Sequence, residues 1–149
     1  MKFLSSLLEK ISSSNTEVKK ETLNSFDDHL VLSTCILLLE VAKSDDNFDE
    51  AEKQKILTIS KKNFDLSDEQ TNLLLDIANT KNEEMISLYE WTSKINDCCT
   101  YSDKKKLMED LWEVAFADQV IDKYEDYTIR KIADLLYVKH KDFIKAKIR

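Results

Sequence analysis

The sequence predicts an all-α fold, a compact bundle of seven to eight helices with an internal pseudo-two-fold repeat of one helix hairpin. First, the 149 residues include no Gly and no Pro, which the tight turns of β-rich folds usually need. Second, apolar residues recur at helical spacing, and no long segment alternates with period two. Third, segments 38–59 and 111–132 resemble each other. With 42% hydrophobic residues, a chain of this length can bury a core.

The segment 1–27 is expected to form an N-terminal amphipathic helix and a polar linker. Apolar residues between Phe3 and Ile11 recur at helical spacing, and the serines and asparagine of 12–15 then interrupt the pattern. We therefore predict two parts, the helix and linker at 1–27 and the helical domain at 28–149.

Within the domain, a mostly apolar helix from Asp27 or Asp28 to about Lys43 is predicted to be central. Asp49 is expected to open the next helix, which ends near Asn63 in a left-handed cap. Ser67 and Gln70 have the spacing of a capping box for the third helix. Its expected buried face is Leu73, Leu74, Ile77 and Ala78.

Four more helices complete the predicted bundle. Polar residues suited to helix starts precede three of them, and a short helix from His140 to Ile148 ends the chain. Trp91 and Trp112 lie on apolar stripes and are expected in the core. The predicted starts of the three helices are Asn82, Ser102 and Asp122.

The two similar segments align without gaps, so that each position of the first has one counterpart in the second, and nine of the 22 pairs are identical. We interpret them as two equivalent helix hairpins, each turning at an Asp-x-x-x-Asp sequence. The apolar identities are expected to be the inward faces of the paired helices. The identical pairs are Leu38/Leu111, Glu40/Glu113, Val41/Val114, Ala42/Ala115, Asp45/Asp118, Asp49/Asp122, Glu52/Glu125, Ile56/Ile129 and Ile59/Ile132.

The repeated acids have two interpretations. Asp49 with Glu52, like Asp122 with Glu125, has the spacing of a capping box, and acids in a first turn suit the helix dipole.

Asp45 and Asp118 instead follow a helix end, where the dipole disfavours negative charge by up to about 1 kcal/mol. They either accept backbone N–H bonds in the turn or bind a hard divalent cation. The loop is not an EF-hand, because Glu50 and Ile56 stand at the positions of its Gly and Glu.

The pattern Glu-Val-Ala-x-x-Asp-x-x-x-Asp-x-x-Glu, present at 40–52 and 113–125, resembles the signature of TerB-like domains. The resemblance covers residues 28–149. It implies an all-α, tellurite-resistance or stress-response domain, often at the cytoplasmic face of the membrane. It also implies a divalent cation, with calcium favoured over magnesium, at the acidic motif positions. These are Asp45, Asp49, Glu52, Asp118, Asp122 and Glu125.

Charge and cysteine content restrict the partners. A net charge of −7 repels phosphate backbones, so we expect no nucleic-acid binding. A protein partner would bind through the acidic face or the N-terminal helix. The charge pattern does not indicate peripheral membrane association, because the N-terminal helix lacks a basic face.

The oligomeric state and the role of the adjacent Cys98 and Cys99 stay open. Three cysteines make a poor disulfide framework and favour a reducing cytoplasm.

Two functional hypotheses follow from these patterns. The favoured one is a non-catalytic, TerB-like stress-response module whose duplicated acidic hairpins bind a divalent cation or a basic partner. The alternative is a metal-dependent enzyme that uses the same carboxylates on an unknown substrate. Hard-metal enzymes usually add His or Lys as proton shuttles. Neither motif copy contains His, so we expect no catalytic residues.

Overall fold

A computed structural model describes residues 25–44, 48–117 and 123–148, with side chains from residue 29 onward. This part of the chain forms seven helices and no strand, which confirms the all-α prediction. The predicted N-terminal helix lies outside the described residues. The helices are α1 (Ser25–Ala42), α2 (Glu50–Phe64), α3 (Asp68–Glu84), α4 (Tyr89–Cys98), α5 (Tyr101–Ala115), α6 (Lys123–Leu135) and α7 (His140–Lys147).

Helix α1 is the centre of the fold, as its sequence predicts. Every residue from Val31 to Leu39 is buried, because apolar residues occur on nearly every side of this helix. It contacts each of the helices α2 to α6. No helix in the described part of the chain has both the length and the apolar character needed to cross a bilayer.

Two helix–turn–helix pairs, α1–α2 and α5–α6, correspond closely in their local structure. Their first helices end at the equivalent positions Ala42 and Ala115, and their second helices begin at the equivalent positions Glu50 and Lys123. The turns match as well. The N–H groups that follow the first helices, at 44 and 117, donate to the carbonyls at 41 and 114 at 3.2 and 3.1 Å. These bounds are the ones that the repeat hypothesis expects, while a two-fold relation between the pairs stays a prediction.

Helix α7 packs against α5 and closes the bundle. Trp112 of α5 contacts the ring of Phe143 with centroids 5.4 Å apart. The hydroxyl of Tyr101 donates to Asp142 at 2.6 Å and accepts from the N–H of Lys139 at 2.9 Å. The start and the middle of α5 therefore hold α7 in place.

Two predicted helix starts and one predicted buried residue were wrong. Asn82 does not open a helix, because α3 continues to Glu84 and Asn82 is buried within it. Thr100, not Ser102, is the N-cap of α5, since its side chain accepts from the N–H of Asp103. On α3, Leu73 is exposed, and Leu75 takes its place in the core.

The second helix of each pair is followed by one residue in the left-handed conformation. Asp65 has φ 54° and Tyr137 has φ 60°. In both caps the next residue donates to a carbonyl five positions back, from Leu66 to Lys61 at 3.2 Å and from Val138 to Ala133 at 2.9 Å. The left-handed residue after α2 is therefore Asp65 and not the predicted Asn63.

Candidate functional site

Three of the six predicted site acids lie in the described part of the chain. Asp49 and Glu52 stand at the start of α2, and Glu125 stands in the first turn of α6. Asp45, Asp118 and Asp122 lie outside the described residues.

Asp49 and Glu52 form the capping box that their spacing predicts. The Glu52 N–H donates to Asp49 Oδ1 at 2.9 Å, and the Asp49 N–H donates to Glu52 Oε1 at 3.3 Å. Two N–H groups that would otherwise lack a helical partner are thereby satisfied. The prediction that these two acids cap the helix is therefore confirmed, and the cap uses one oxygen of each carboxyl group.

The second oxygen of Glu52 is not used by the cap. Glu52 is 0% exposed, and its Oε2 accepts no hydrogen bond from any N–H group of the described residues. Glu125, which occupies the equivalent position in α6, is 1% exposed. The two carboxyl groups lie within hydrogen-bonding contact of each other. The site thus has at its centre a buried pair of acids, one from each helix hairpin.

The environment of this pair opposes ionisation. The pKa of Glu52 is raised from 4.5 to about 9, first by burial and then by its hydrogen bond to Glu125. The negative charges of Glu125 and Asp49 raise this pKa further, while the backbone bond within the cap lowers it. At neutral pH, and with no cation beside it, the pair of carboxyl groups therefore holds a proton.

The repeated acid of the preceding helix connects each hairpin to its neighbours. Glu40 of α1 accepts from the side-chain amide of Asn82 at 3.0 Å, and the oxygen of that amide accepts from Lys43 at 3.2 Å. Glu113 of α5 pairs with Lys55 of α2 at 3.4 Å. The two hydrogen bonds of Asn82 connect the end of α1 and its turn to α3, and the Glu113–Lys55 ion pair connects α5 to α2. The ion pair between Glu113 and Lys55 therefore helps to hold α2, the helix on which the buried Glu52 stands.

The buried pair meets part of the requirement of a hard divalent cation. Calcium and magnesium prefer carboxylate and carbonyl oxygens, and Glu52 Oε2 is a buried oxygen that no N–H group of the described residues satisfies. Within the described ranges, however, no cluster of three or more His, Cys, Asp or Glu side chains is placed to hold a metal ion. Glu52 and Glu125 therefore fit a cation as two of its ligands.

The contact between the two glutamates is the feature that sequence reasoning missed. The capping pattern accounted for both residues and directed attention to Asp45 and Asp118. Periodicity contained the missing signal, because Glu52 precedes Ile56 by four positions and Ile59 by seven, on the buried stripe of α2. Glu125 stands in the same relation to two buried isoleucines of α6.

Comparison with known protein families gives one match. The family described as tellurite resistance protein TerB matches residues 31–148. This range includes all seven helices except the first turns of α1. Comparison with curated proteins and with solved structures gave no significant match.

Proposed function

Because the chain belongs to the TerB family of tellurite resistance proteins, we propose that it is a non-catalytic tellurite-resistance module that binds a divalent cation through Glu52 and Glu125. Calcium is favoured over magnesium, since calcium accepts irregular sets of oxygen ligands more readily. The predicted roles of Asp45, Asp118 and Asp122 in the same site stay predictions.

The contact between two buried carboxyl groups is the observation that supports this proposal. Two ionised carboxylates in contact repel each other, and burial increases the cost of each charge. The repulsion is relieved by one proton, which the raised pKa of Glu52 supplies, or by a cation that both acids share. Cation binding then displaces the proton, so the affinity for the cation should increase with pH.

The burial of the pair favours an ion over a basic side chain. Glu52 and Glu125 are at most 1% exposed, so a Lys or Arg of a partner protein cannot reach them without opening the bundle. A basic partner would instead contact exposed acids such as Glu50. The charged groups that shift the pKa of Glu52 are Glu125 and Asp49, and neither is a His or Lys suited to proton transfer. This composition supports a binding role rather than a catalytic one.

Thermal unfolding with calcium, magnesium or a chelator tests the proposal. A site filled at 100 times its dissociation constant stabilises the folded state by about 2.7 kcal/mol. We expect this stabilisation with calcium at pH 8, less of it at pH 6, and none in the Glu52→Gln, Glu125→Gln double variant.

Glu50→Gln is the matched control, because Glu50 is an exposed acid in the same helix turn. This variant should respond to calcium as the wild type does. If neither ion stabilises the wild type, or if the double variant responds equally, the buried pair does not bind the cation.

A further inference from the structure

Two adjacent thiols lie where α4 ends. Cys98 is the last residue of α4, and Cys99 caps it in an extended conformation with φ −111° and ψ 147°. Both residues are half-buried, and neither forms a disulfide bond. Their Sγ atoms are 3.8 Å apart. The end of this helix therefore presents a pair of thiols at its rim, in a position that the acidic site does not include.

The spacing of this pair fits a bridging atom better than a direct disulfide bond. Adjacent Cα atoms are about 3.8 Å apart across a trans peptide, whereas disulfide-bonded cysteines usually have Cα atoms roughly 4.4–6.8 Å apart. A disulfide between Cys98 and Cys99 would therefore strain the backbone. An atom bound to both sulfurs avoids this strain, because the two sulfurs do not have to come within bonding distance of each other.

The number of ligands restricts the bridging atom. Zinc in proteins usually takes four ligands from Cys, His and carboxylates. Over residues 25–44, 48–117 and 123–148, no three such side chains are grouped to hold a metal. A trivalent arsenic atom that already carries one carbon substituent needs only two sulfurs. Two thiols therefore match its valence.

A pocket next to the thiols provides room for that substituent. Cys99 lines a pocket of about 200 Å³ together with Leu30, Phe64, Ile95 and Leu107. An apolar cavity of about 150 Å³ is enough to bind benzene in another protein. Three of the polar residues at the pocket are already paired with one another, since Asp110 accepts from Asn63 at 2.9 Å and from Lys106 at 2.8 Å. The space beside Cys99 therefore suits one apolar ring.

We propose that Cys98 and Cys99, with the adjacent apolar pocket, form a binding site for trivalent organoarsenic compounds with one aromatic or alkyl substituent. With phenylarsine oxide, the two S–H bonds and the arsenic–oxygen double bond break, and two arsenic–sulfur bonds form. The oxygen leaves as water with both thiol protons. Arsenic remains trivalent, so neither an oxidant nor a reductant is needed.

Burial of the thiols is compatible with this chemistry. The pKa of Cys99 is raised to about 12, first by burial and then by the neighbouring Cys98. A thiolate is therefore disfavoured, which slows oxidation and attack on disulfides. The arsenic adduct carries no charge on sulfur, so the same burial does not oppose it.

Titration of the reduced full-length chain with phenylarsine oxide tests the proposal. We expect one adduct per chain by intact mass, protection of two thiols from alkylation, and release by a small dithiol but not by a monothiol. Cys98→Ser and Cys99→Ser should each weaken binding at least 100-fold. Cys35→Ala is the matched control, because Cys35 is fully buried in α1 and should not contribute.

Methylarsine oxide, which also needs only two sulfurs but has a much smaller substituent, tests the pocket separately. It should bind at least tenfold more weakly than phenylarsine oxide. Thr34→Leu, which fills the pocket from α1, should weaken only phenylarsine oxide binding, with folding checked by circular dichroism. The absence of an adduct, or full binding by either single-cysteine serine variant, would refute the site. Equal affinity for the two compounds would refute the role of the pocket.

Discussion

At position 52 a carboxyl group occupies a place in the core, while the next two turns of the same helix face carry Ile56 and Ile59. This placement has a direct consequence for stability. The pKa of Glu52 has its ordinary value of 4.5 in the unfolded chain and is raised to about 9 in the folded chain. Between these two pH values the folded state therefore binds more protons than the unfolded state. The free energy of unfolding therefore falls as pH rises through this range, by up to about 1.4 kcal/mol per pH unit.

Replacing Glu52 with Gln should remove this dependence. Glutamine keeps an oxygen for the Asp49 N–H and gains a donor for Glu125, but it does not ionise. In chelator-containing buffer at pH 8, we expect Glu52→Gln to stabilise the protein and to flatten the decline between pH 5 and 9. Urea unfolding at several pH values measures both effects. Glu50→Gln should leave the slope unchanged, and equal slopes for wild type and Glu52→Gln would contradict the assignment.

At the scale of elements, side-chain caps set where three of the described helices begin. Capping boxes open three helices of the described chain, with Asp49, Ser67 and Thr100 as the N-cap residues. At the start of α5, the Thr100 hydroxyl accepts from the Asp103 N–H at 3.1 Å, and Asp103 accepts from the Thr100 N–H at 3.0 Å. Such reciprocal bonds replace the glycine and proline signals that this sequence lacks.

Two neighbouring hydroxyl residues test that assignment at α5. Thr100→Ala removes the acceptor of the box and should cost about 1 kcal/mol of unfolding free energy. Ser102→Ala, at the start predicted from sequence, should change stability by less than about 0.5 kcal/mol, because its side chain is exposed within the first turn. Chemical denaturation of both variants measures the difference. A larger loss in Ser102→Ala would support the original prediction instead.

Local patterns predicted most of the helices, because 3.6-residue periodicity and capping sequences act within one segment. The central position of α1 followed from its apolar residues on every side. The error at Asn82 has a tertiary cause. Asn82 is held inside α3 by bonds to Glu40 of α1 and to Lys43 of the turn that follows α1, and no local pattern encodes these bonds. The contact between Glu52 and Glu125 is tertiary in the same sense, since it joins two hairpins that are distant in the chain.

At the scale of the whole molecule, α1 connects the two hairpins. It contacts α2 to α6, and the buried glutamates join the two second helices at one point. The Glu113–Lys55 pair adds a polar link between α5 and α2 at the surface. The effect of a substitution in one hairpin on stability should therefore depend on the residues of the other hairpin.

A double-mutant cycle measures this connection. In the wild-type pair one carboxyl group has to stay protonated to avoid the repulsion of two buried charges, and either Glu52→Gln or Glu125→Gln removes that requirement, so the double variant should be stabilised by less than the sum of the single effects. We expect a coupling energy within the roughly 0.5–3 kcal/mol found for contacting residues. Urea unfolding in chelator supplies the values. Glu52→Gln combined with Glu109→Gln, an exposed acid of α5, should be additive within about 0.5 kcal/mol. Additivity of the glutamate pair would contradict their contact.

The left-handed residues Asp65 and Tyr137 bear on how this sequence can change over evolution. For a residue with a Cβ that conformation costs about 1–2 kcal/mol, and for glycine it does not. Glycine would lose roughly 0.5–1 kcal/mol through the greater freedom of the unfolded chain, so the exchange is close to neutral or favourable. Two positions of the fold thus accept glycine without rearrangement. The architecture therefore does not demand the lack of glycine.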